Sequence, residues 1–121
     1  MDKAQALNSF FNSFGIPAYD SQTVPENAAL PYITYETQTD SLDAQLNLTN
    51  SIWYRSTSWA DIESKTSEIA ERLGVGGVVV KIDGGYLWLY KGFPFAQRMS
   101  DPDDSIRRMI INIRAEFLTA Y

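Results

Sequence analysis

The sequence predicts an α+β protein in which one layer of mostly antiparallel sheet, of about five strands, carries two helices on one face. Two segments place apolar residues at the three- and four-residue spacing of helices. Several other segments alternate between apolar and polar residues, as strands do, and Asp83-Gly84 between two of them is a strong hairpin signal. The predicted order of elements is helix, strand, strand, helix, strand, strand, strand.

The length and composition predict a single domain over residues 1–121. A chain of 121 residues is the size of an ordinary domain with one core, and 45% hydrophobic against 21% charged residues is a globular composition. The N-terminus has no apolar segment typical of a signal peptide, and no apolar run approaches the length of a membrane span. We therefore expect no membrane partner.

The residue types exclude several kinds of chemistry. Cysteine and histidine are both absent, which rules out disulfides, cysteine-rich zinc sites and every mechanism that needs an imidazole. The near pairs of carboxylates, Asp40 with Asp43 and Asp101 with Asp103, lie in polar turns typical of solvated surface. The Gly-rich segment at residues 74–77 is not followed by the Lys-Ser/Thr pair of a phosphate-binding loop. The sequence therefore predicts a protein that is not an enzyme and that binds no cofactor or metal ion.

The net charge argues against a groove that grips nucleic acid. A formal charge of −5 provides no general cationic surface to neutralise phosphates. The same charge is compatible with DNA that passes the protein without being held.

The N-terminal helix is predicted from its cap and its apolar stripe. Asp2 is a good N-cap, and Gln5 stands where a capping box needs it. Gly15, followed by Pro17, ends the helix. The stripe, which we expect to dock on the sheet, consists of Ala4, Leu7, Phe10, Phe11 and Phe14.

The first strand follows a predicted loop over residues 17–29. Residues 30–37 alternate like a strand that is covered on one side, and Pro31 suits a strand start. Residues 40–50 match neither period, and two interpretations stay open. They form either an ordinary loop whose leucines contact the core, or a projecting hairpin arm whose leucines pack on a neighbouring subunit. These leucines are Leu42, Leu46 and Leu48.

The second strand, over residues 51–57, runs directly into the second helix, over residues 58–73. Ser58 is the predicted N-cap, with Asp61 three residues later, and Gly74 is a predicted left-handed cap at the other end. A helix with one apolar stripe needs a sheet to pack on. The stripe consists of Trp59, Ile62, Thr66, Ile69 and Leu73.

The last three strands are predicted from a hairpin and a long alternating segment. Residues 78–82 and 86–91 flank the turn at residues 83–85. Residues 92–105 are irregular, and the Asp-Pro-Asp-Asp within them is typical of a turn. Residues 106–118 alternate with the period of a strand over their whole length, which predicts a long strand in a central or edge-spanning position.

Several of these elements together carry a resemblance to a known family. They are Leu-Pro-Tyr-Ile-Thr-Tyr at residues 30–35, and the strand at residues 51–57 that runs into the helix at Trp59. With the Gly-capped helix end, the Asp-Gly-Gly hairpin and the long closing strand, they make the chain resemble the tail terminator (tail completion) proteins of long-tailed bacteriophages. These are also described as minor tail or head–tail joining proteins. The resemblance spans nearly the whole chain, and its motifs are structural.

The resemblance implies a structural role in a virion. Such proteins form a ring, typically a hexamer, that caps the growing tail tube, stops its polymerisation and joins it to the head. The implied location is the tail or neck of a virion assembled in the host cytoplasm. The implied partners are further copies of the chain, the tail tube protein and head–tail connector proteins, and DNA passes through the channel. Head-side neck proteins share the fold, so a head-side joining role is an alternative.

The interface residues are predicted from this sequence alone. A closed ring requires a head-to-tail interface with two different sides. The candidates for one side are Leu42, Leu46 and Leu48. The candidates for contact with a neighbour or with the tube protein are Phe93, Phe95 and Met99, since aromatic residues and methionine are enriched at interfaces. Two other function classes stay open: an adaptor that binds an extended segment at a sheet edge, and a small enzyme with perturbed carboxylates in a pocket.

Overall fold

A computed structural model describes residues 1–36 and 45–119 of the chain. The two helices and six strands within these residues confirm the α+β class and exceed the predicted number of strands by one. In chain order, the elements are α1 (Lys3–Phe11), a 3-10 turn (Asn12–Phe14), β1 (Ala18–Asp20), β2 (Tyr32–Tyr35), β3 (Gln45–Arg55), α2 (Ala60–Leu73), β4 (Val78–Ile82), β5 (Gly85–Met99) and β6 (Ile106–Thr119).

The strands of the described residues form one six-stranded sheet in the order β1-β2-β3-β6-β5-β4. β1 and β2 are parallel, and each of the other neighbouring pairs is antiparallel. The long last strand, β6, lies in the middle because it pairs with β3 along one side and with β5 along the other. This confirms the predicted period-two strand and places it centrally. Its core-facing residues are Met109, Ile111, Ile113, Ala115 and Phe117.

The interpretation of residues 17–29 as loop throughout is wrong, because Ala18–Asp20 form β1. Backbone hydrogen bonds fix this strand to β2, from the Ile33 N–H to the Pro17 carbonyl and from the Ser21 N–H to the Tyr35 carbonyl, each 2.9 Å long. Three residues are too few to show a period in the sequence. Contacts between distant parts of the chain therefore create this strand.

The interpretation of residues 40–50 as a loop or projecting arm is wrong for residues 45–50, which form the first half of β3. Leu46 and Leu48 are 7% and 1% exposed and lie in the core. Asn50 occupies the next core-facing position and is only 2% exposed. Because it is polar, it interrupts the apolar alternation by which the sequence would show a strand. Its side chain accepts a hydrogen bond from the Glu36 N–H at 3.1 Å and donates to the carbonyls of Leu48 and Ile111.

The irregular segment predicted over residues 92–105 is wrong for residues 92–99, because β5 continues to Met99. Pairing with β6 is interrupted between Lys91 and Ala96, where a β-bulge inserts extra residues opposite Asn112. The predicted turn that follows is confirmed. The backbone N–H groups of Asp103 and Ser105 donate to carboxylate oxygens two residues earlier, as Asx turns do.

Helix α1 confirms the predicted capping box. The Asp2 carboxylate accepts a hydrogen bond from the Gln5 N–H at 2.8 Å, and the Gln5 side chain accepts one from the Asp2 N–H at 2.9 Å. The apolar stripe is shifted at its start, because Ala4 is exposed and Ala6 is fully buried. The remaining members of the predicted stripe are buried, and the ring of Phe11 stacks on Tyr35 of β2 at 5.0 Å.

Helix α2 confirms the predicted stripe, whose buried members are Ile62, Thr66, Ile69 and Leu73. Its start differs from the prediction: Trp59 is the N-cap residue, and the Ser58 hydroxyl accepts a hydrogen bond from the Ala60 N–H at 3.1 Å. Gly74 ends the helix as predicted, with a φ of 62° that favours glycine. Its ψ of −162° lies outside the left-handed helical region, so the predicted left-handed cap is wrong. Both helices contribute to one buried cluster on the same side of the sheet, as predicted.

Tyr54 gives the fold an expected dependence on alkaline pH. Burial, followed by the nearby carboxylates of Asp61 and Glu68, raises the pKa of its phenol above the ordinary tyrosine value. The stabilisation from the neutral phenol is complete below the unfolded-state pKa and is lost as the pH rises through the folded-state pKa. We expect Tyr54→Phe to lose less stability than the wild type between neutral pH and about pH 11. Urea unfolding at both pH values tests this, and equal losses would contradict it.

Candidate interaction surface

The helices cover one face of the sheet and leave the other face open. Side chains alternate between the two faces of a strand. The buried apolar ones, such as Ile33, Ile52, Leu89 and Met109, lie on the side of the helices. We call the opposite side the open face. Its larger outward residues are Tyr19, Tyr32, Trp53, Arg55, Val79, Lys81, Tyr86, Trp88, Tyr90, Met99, Arg108, Ile110, Asn112, Arg114, Glu116 and Leu118.

A row of aromatic rings crosses one half of the open face. The ring of Tyr19 meets Tyr32 edge-on at 5.7 Å, and Tyr32 lies 6.5 Å from the ring of Trp53. The Arg108 guanidinium sits 4.5 Å above Trp53 and donates through Nε to the Ser51 hydroxyl at 3.2 Å. These contacts join β1, β2, β3 and β6 into one continuous surface of flat side chains.

A shallow cavity of about 350 Å³ lies beside the bulge of β5. Its polar groups are bound to one another: Arg114 Nε donates to Asn47 Oδ1 at 3.0 Å, and Asn112 Nδ2 donates to the Pro94 carbonyl at 2.8 Å. The side chain of Phe93, at the edge of the cavity, is fully exposed. The lining residues are Asn47, Gly92, Phe93, Asn112, Ile113 and Arg114.

The other half of the open face exposes apolar side chains near the sheet edge. Tyr86 of β5 is directly opposite Leu118 of β6, and the two residues are 49% and 51% exposed. Val79 of the edge strand β4 is 61% exposed. The ring of Trp88 lies 4.4 Å from that of Tyr90, tilted by 33°, and donates through Nε1 to the Gly76 carbonyl at 2.8 Å. Apolar side chains gathered in this way are typical of a contact surface.

A chain in the virion of a native gene transfer agent (GTA) particle has a similar structure, with a TM-score of 0.58. The similarity covers 96% of this chain and 85% of that chain, at 18% sequence identity. The two chains share a fold. No protein-family model and no curated protein matches the sequence.

The structure separates the residues predicted to form an interface. Phe93 is fully exposed and Met99 is 37% exposed, and Met99 pairs with Arg108 on the open face. Phe95 instead packs partly buried against the core, with the Lys91 ammonium 5.8 Å from its ring. Leu46 and Leu48 are core residues, so their side chains are not available on the surface of one copy. Leu42 lies outside the described residues.

The residues predicted to form an interface did not identify the open face, although the sequence contains one indication of it. Tyr32, Trp53 and Arg114 occur at outward positions of strands whose alternation is clear in the sequence. The sequence does not show which strands are neighbours, and neighbourhood is what assembles these residues into one surface.

Within residues 1–36 and 45–119, no three carboxylates lie close enough together to bind a metal ion. Hydrogen bonds from the side chain and backbone of Ser105, with a smaller contribution from Arg55, lower the pKa of the exposed Asp103 carboxyl. Neither helix of the described part is long and apolar enough to cross a membrane.

Proposed function

We propose that the chain is a structural protein of a phage-like virion, in which it forms a ring that caps the tail tube and joins it to the head. The observation that carries the proposal is the fold shared with a virion chain of a gene transfer agent particle over 96% of this chain. The ring is a hexamer, as in the tail terminator proteins that the sequence resembles. The role requires neither a catalytic residue nor a cofactor.

The two-sided architecture supports a ring. The open face of the sheet and the outer surface of the helices present different side chains, so a contact between them is heterologous. Heterologous contacts repeat from copy to copy and close into a ring when the rotation between copies allows it. The fully exposed Phe93 adds a single large apolar side chain that a partner would cover.

The charge of the chain suits a ring through which DNA passes. The formal net charge is −5, so the protein as a whole repels a polyanion. In the proposed ring this repulsion lets DNA slide through the channel without being held. The other partners we propose are the tail tube protein on one side of the ring and head–tail connector proteins on the other.

The capping role is tested by polymerising the tail tube protein of the same virion with and without this chain. We expect shorter tubes when the chain is present, and a ring at one end of each tube in electron micrographs. Tubes of unchanged length with no ring would contradict capping. Binding to the connector protein but not to the tube would place the chain on the head side of the neck.

Phe93→Ala is expected to weaken assembly without affecting stability. Truncating a large aromatic anchor at an interface costs about 2 kcal/mol or more, which is at least a tenfold loss of affinity. Val75→Ala is the matched control, because Val75 is also fully exposed but lies in the turn after α2. Light scattering over a range of concentrations measures both. Equal effects of the two substitutions would show that Phe93 has no partner.

A further inference from the structure

We infer that the ring contact joins the open face of one copy to the acidic outer stripe of α2 in the next copy. The inference rests on the proposed ring and adds the two surfaces that form it. The occupant of the open face is thus a second copy of this chain. Charge complementarity, orientation and length support this assignment.

The open face is basic although the chain as a whole is acidic. Its basic residues are Lys81, Arg108 and Arg114, together with Arg55, which pairs with Asp103 at 3.9 Å. Within the described strands, Glu116 is the acidic residue of this face. The formal net charge of the whole chain is −5, so the remaining surface carries more negative charge than the total suggests. A protein with charge segregated in this way attracts its own opposite side.

Two of the arginines are already oriented on the open face. The Arg108 guanidinium lies 4.5 Å above the Trp53 ring and donates to the Ser51 hydroxyl through Nε. Arg114 binds Asn47 through Nε at 3.0 Å. Since a guanidinium has five N–H donors, each of these contacts fixes the group while using one of them. Fixed guanidinium groups lose less side-chain entropy when they bind a carboxylate.

The outer stripe of α2 is acidic and points away from the sheet. Asp61, Ser64, Glu68 and Glu71 recur at spacings of three and four and are all exposed, opposite the buried stripe of the same helix. Lys65 pairs with Glu68 at 3.0 Å, and only 15% of the lysine side chain is exposed.

The basic residues of α2 contact the 3-10 turn that follows α1. The Lys65 ammonium donates to the Phe14 carbonyl at 2.6 Å. The Arg72 guanidinium lies 5.0 Å above the ring of Phe14 and donates to the Ser13 hydroxyl. These contacts leave carboxylates and serines as the outermost groups of α2. The stripe can therefore approach a basic surface without repulsion from its own cations.

The two surfaces are of comparable length and face opposite directions. Arg108 and Arg114 are six residues apart on β6, which spans about 20 Å. Asp61 and Glu71 are ten residues apart on α2, which spans about 15 Å. Because α2 packs on the covered face of the sheet, its outer stripe points away from the open face of the same copy. Contacts from front to back therefore continue from copy to copy, as a ring requires.

Charge reversal on each surface tests the inference. The first variant is Arg108→Glu with Arg114→Glu, and the second is Glu68→Lys with Glu71→Lys. We expect each variant alone to lose the ring at a concentration where the wild type forms it, by light scattering. An equal mixture of the two is expected to recover the ring mass, since the reversed open face now attracts the reversed stripe.

Matched controls separate the interface from general charge effects. Lys91→Glu and Glu26→Lys reverse exposed charges outside both surfaces, and we expect them to keep the wild-type ring. Circular dichroism and thermal unfolding check that each variant is folded. If the double arginine variant does not fold, Arg114→Glu mixed with Glu71→Lys provides the same comparison.

The outcomes distinguish this inference from the proposed function. Reversal variants that keep the wild-type ring mass would overturn the inference and leave the proposed ring intact. The same holds if mixing fails to restore the ring, or if the variants lose only binding to the tail tube protein. A wild-type chain that stays monomeric with and without tube protein would overturn both.

Discussion

Gly77→Ala is expected to destabilise the protein by about 3 kcal/mol or more. Gly77 has a φ of 79°, which costs an alanine about 1–2 kcal/mol. A Cβ at this position would also overlap the Leu89 carbonyl and lie 2.8 Å from both Trp88 Nε1 and Tyr90 Cβ. The Leu89 carbonyl belongs to β5, where Leu89 pairs with Val78 of the edge strand β4, so it cannot move aside without disturbing this ladder.

Gly76→Ala is the matched control for this prediction. A Cβ on Gly76 meets no atom within 4 Å, and Gly76 is not among the glycines with positive φ. We expect the substitution to change the free energy of unfolding by less than about 0.5 kcal/mol. Urea unfolding compares the two variants with the wild type. Similar small effects at both glycines would show that the turn between α2 and β4 is not packed against β5 as described.

Phe11→Ala is expected to cost about 3–5 kcal/mol of stability. Phe11 is 1% exposed and joins α1 to the sheet, stacked on Tyr35 at 5.0 Å and edge-on to Phe10 at 5.2 Å. Its removal leaves a cavity that these fixed rings cannot fill. The loss is a large fraction of the total stability of a small protein, so the unfolding midpoint in urea is expected to fall strongly.

Phe93→Ala makes the same chemical change at a fully exposed position. We expect it to alter the free energy of unfolding of a single copy by less than about 0.5 kcal/mol. A large effect of Phe93→Ala, or a small effect of Phe11→Ala, would contradict the assignment of the first ring to the surface and of the second to the core.

The elements governed by local signals could be predicted from the sequence. The capping box of Asp2 and Gln5, the buried stripe of α2 and the turn at Gly84 depend on residues close together in the chain. The long alternation of β6 is also a local pattern. Each of these was predicted because its cause lies within a few residues of its effect.

The failures have long-range causes. β1 is held by hydrogen bonds to β2 and to the Asn12 side chain. The first half of β3 carries the buried polar residue Asn50, which the Glu36 backbone and β6 satisfy. The bulge at residues 92–95 interrupts β5 without ending it. In each case a neighbouring strand supplies what the local sequence lacks.

The candidate surface could be predicted only in part. Phe93 and Met99 are exposed as the prediction requires, whereas Leu46 and Leu48 are buried because residues 45–50 pair with β6. The basic open face depends on β3 and β6 being neighbours, which brings Trp53 beside Arg108. Strand order is a property of the whole chain, and no short motif encodes it.

The mass of the assembled particle tests the central proposal most directly. It is measured by light scattering on a sizing column, for the chain alone and with the tail tube protein of the same virion. We expect the mass of a hexamer, formed either by the chain alone or on the tube as a template. A chain that remains monomeric in both samples and does not bind the tube would contradict the proposed ring.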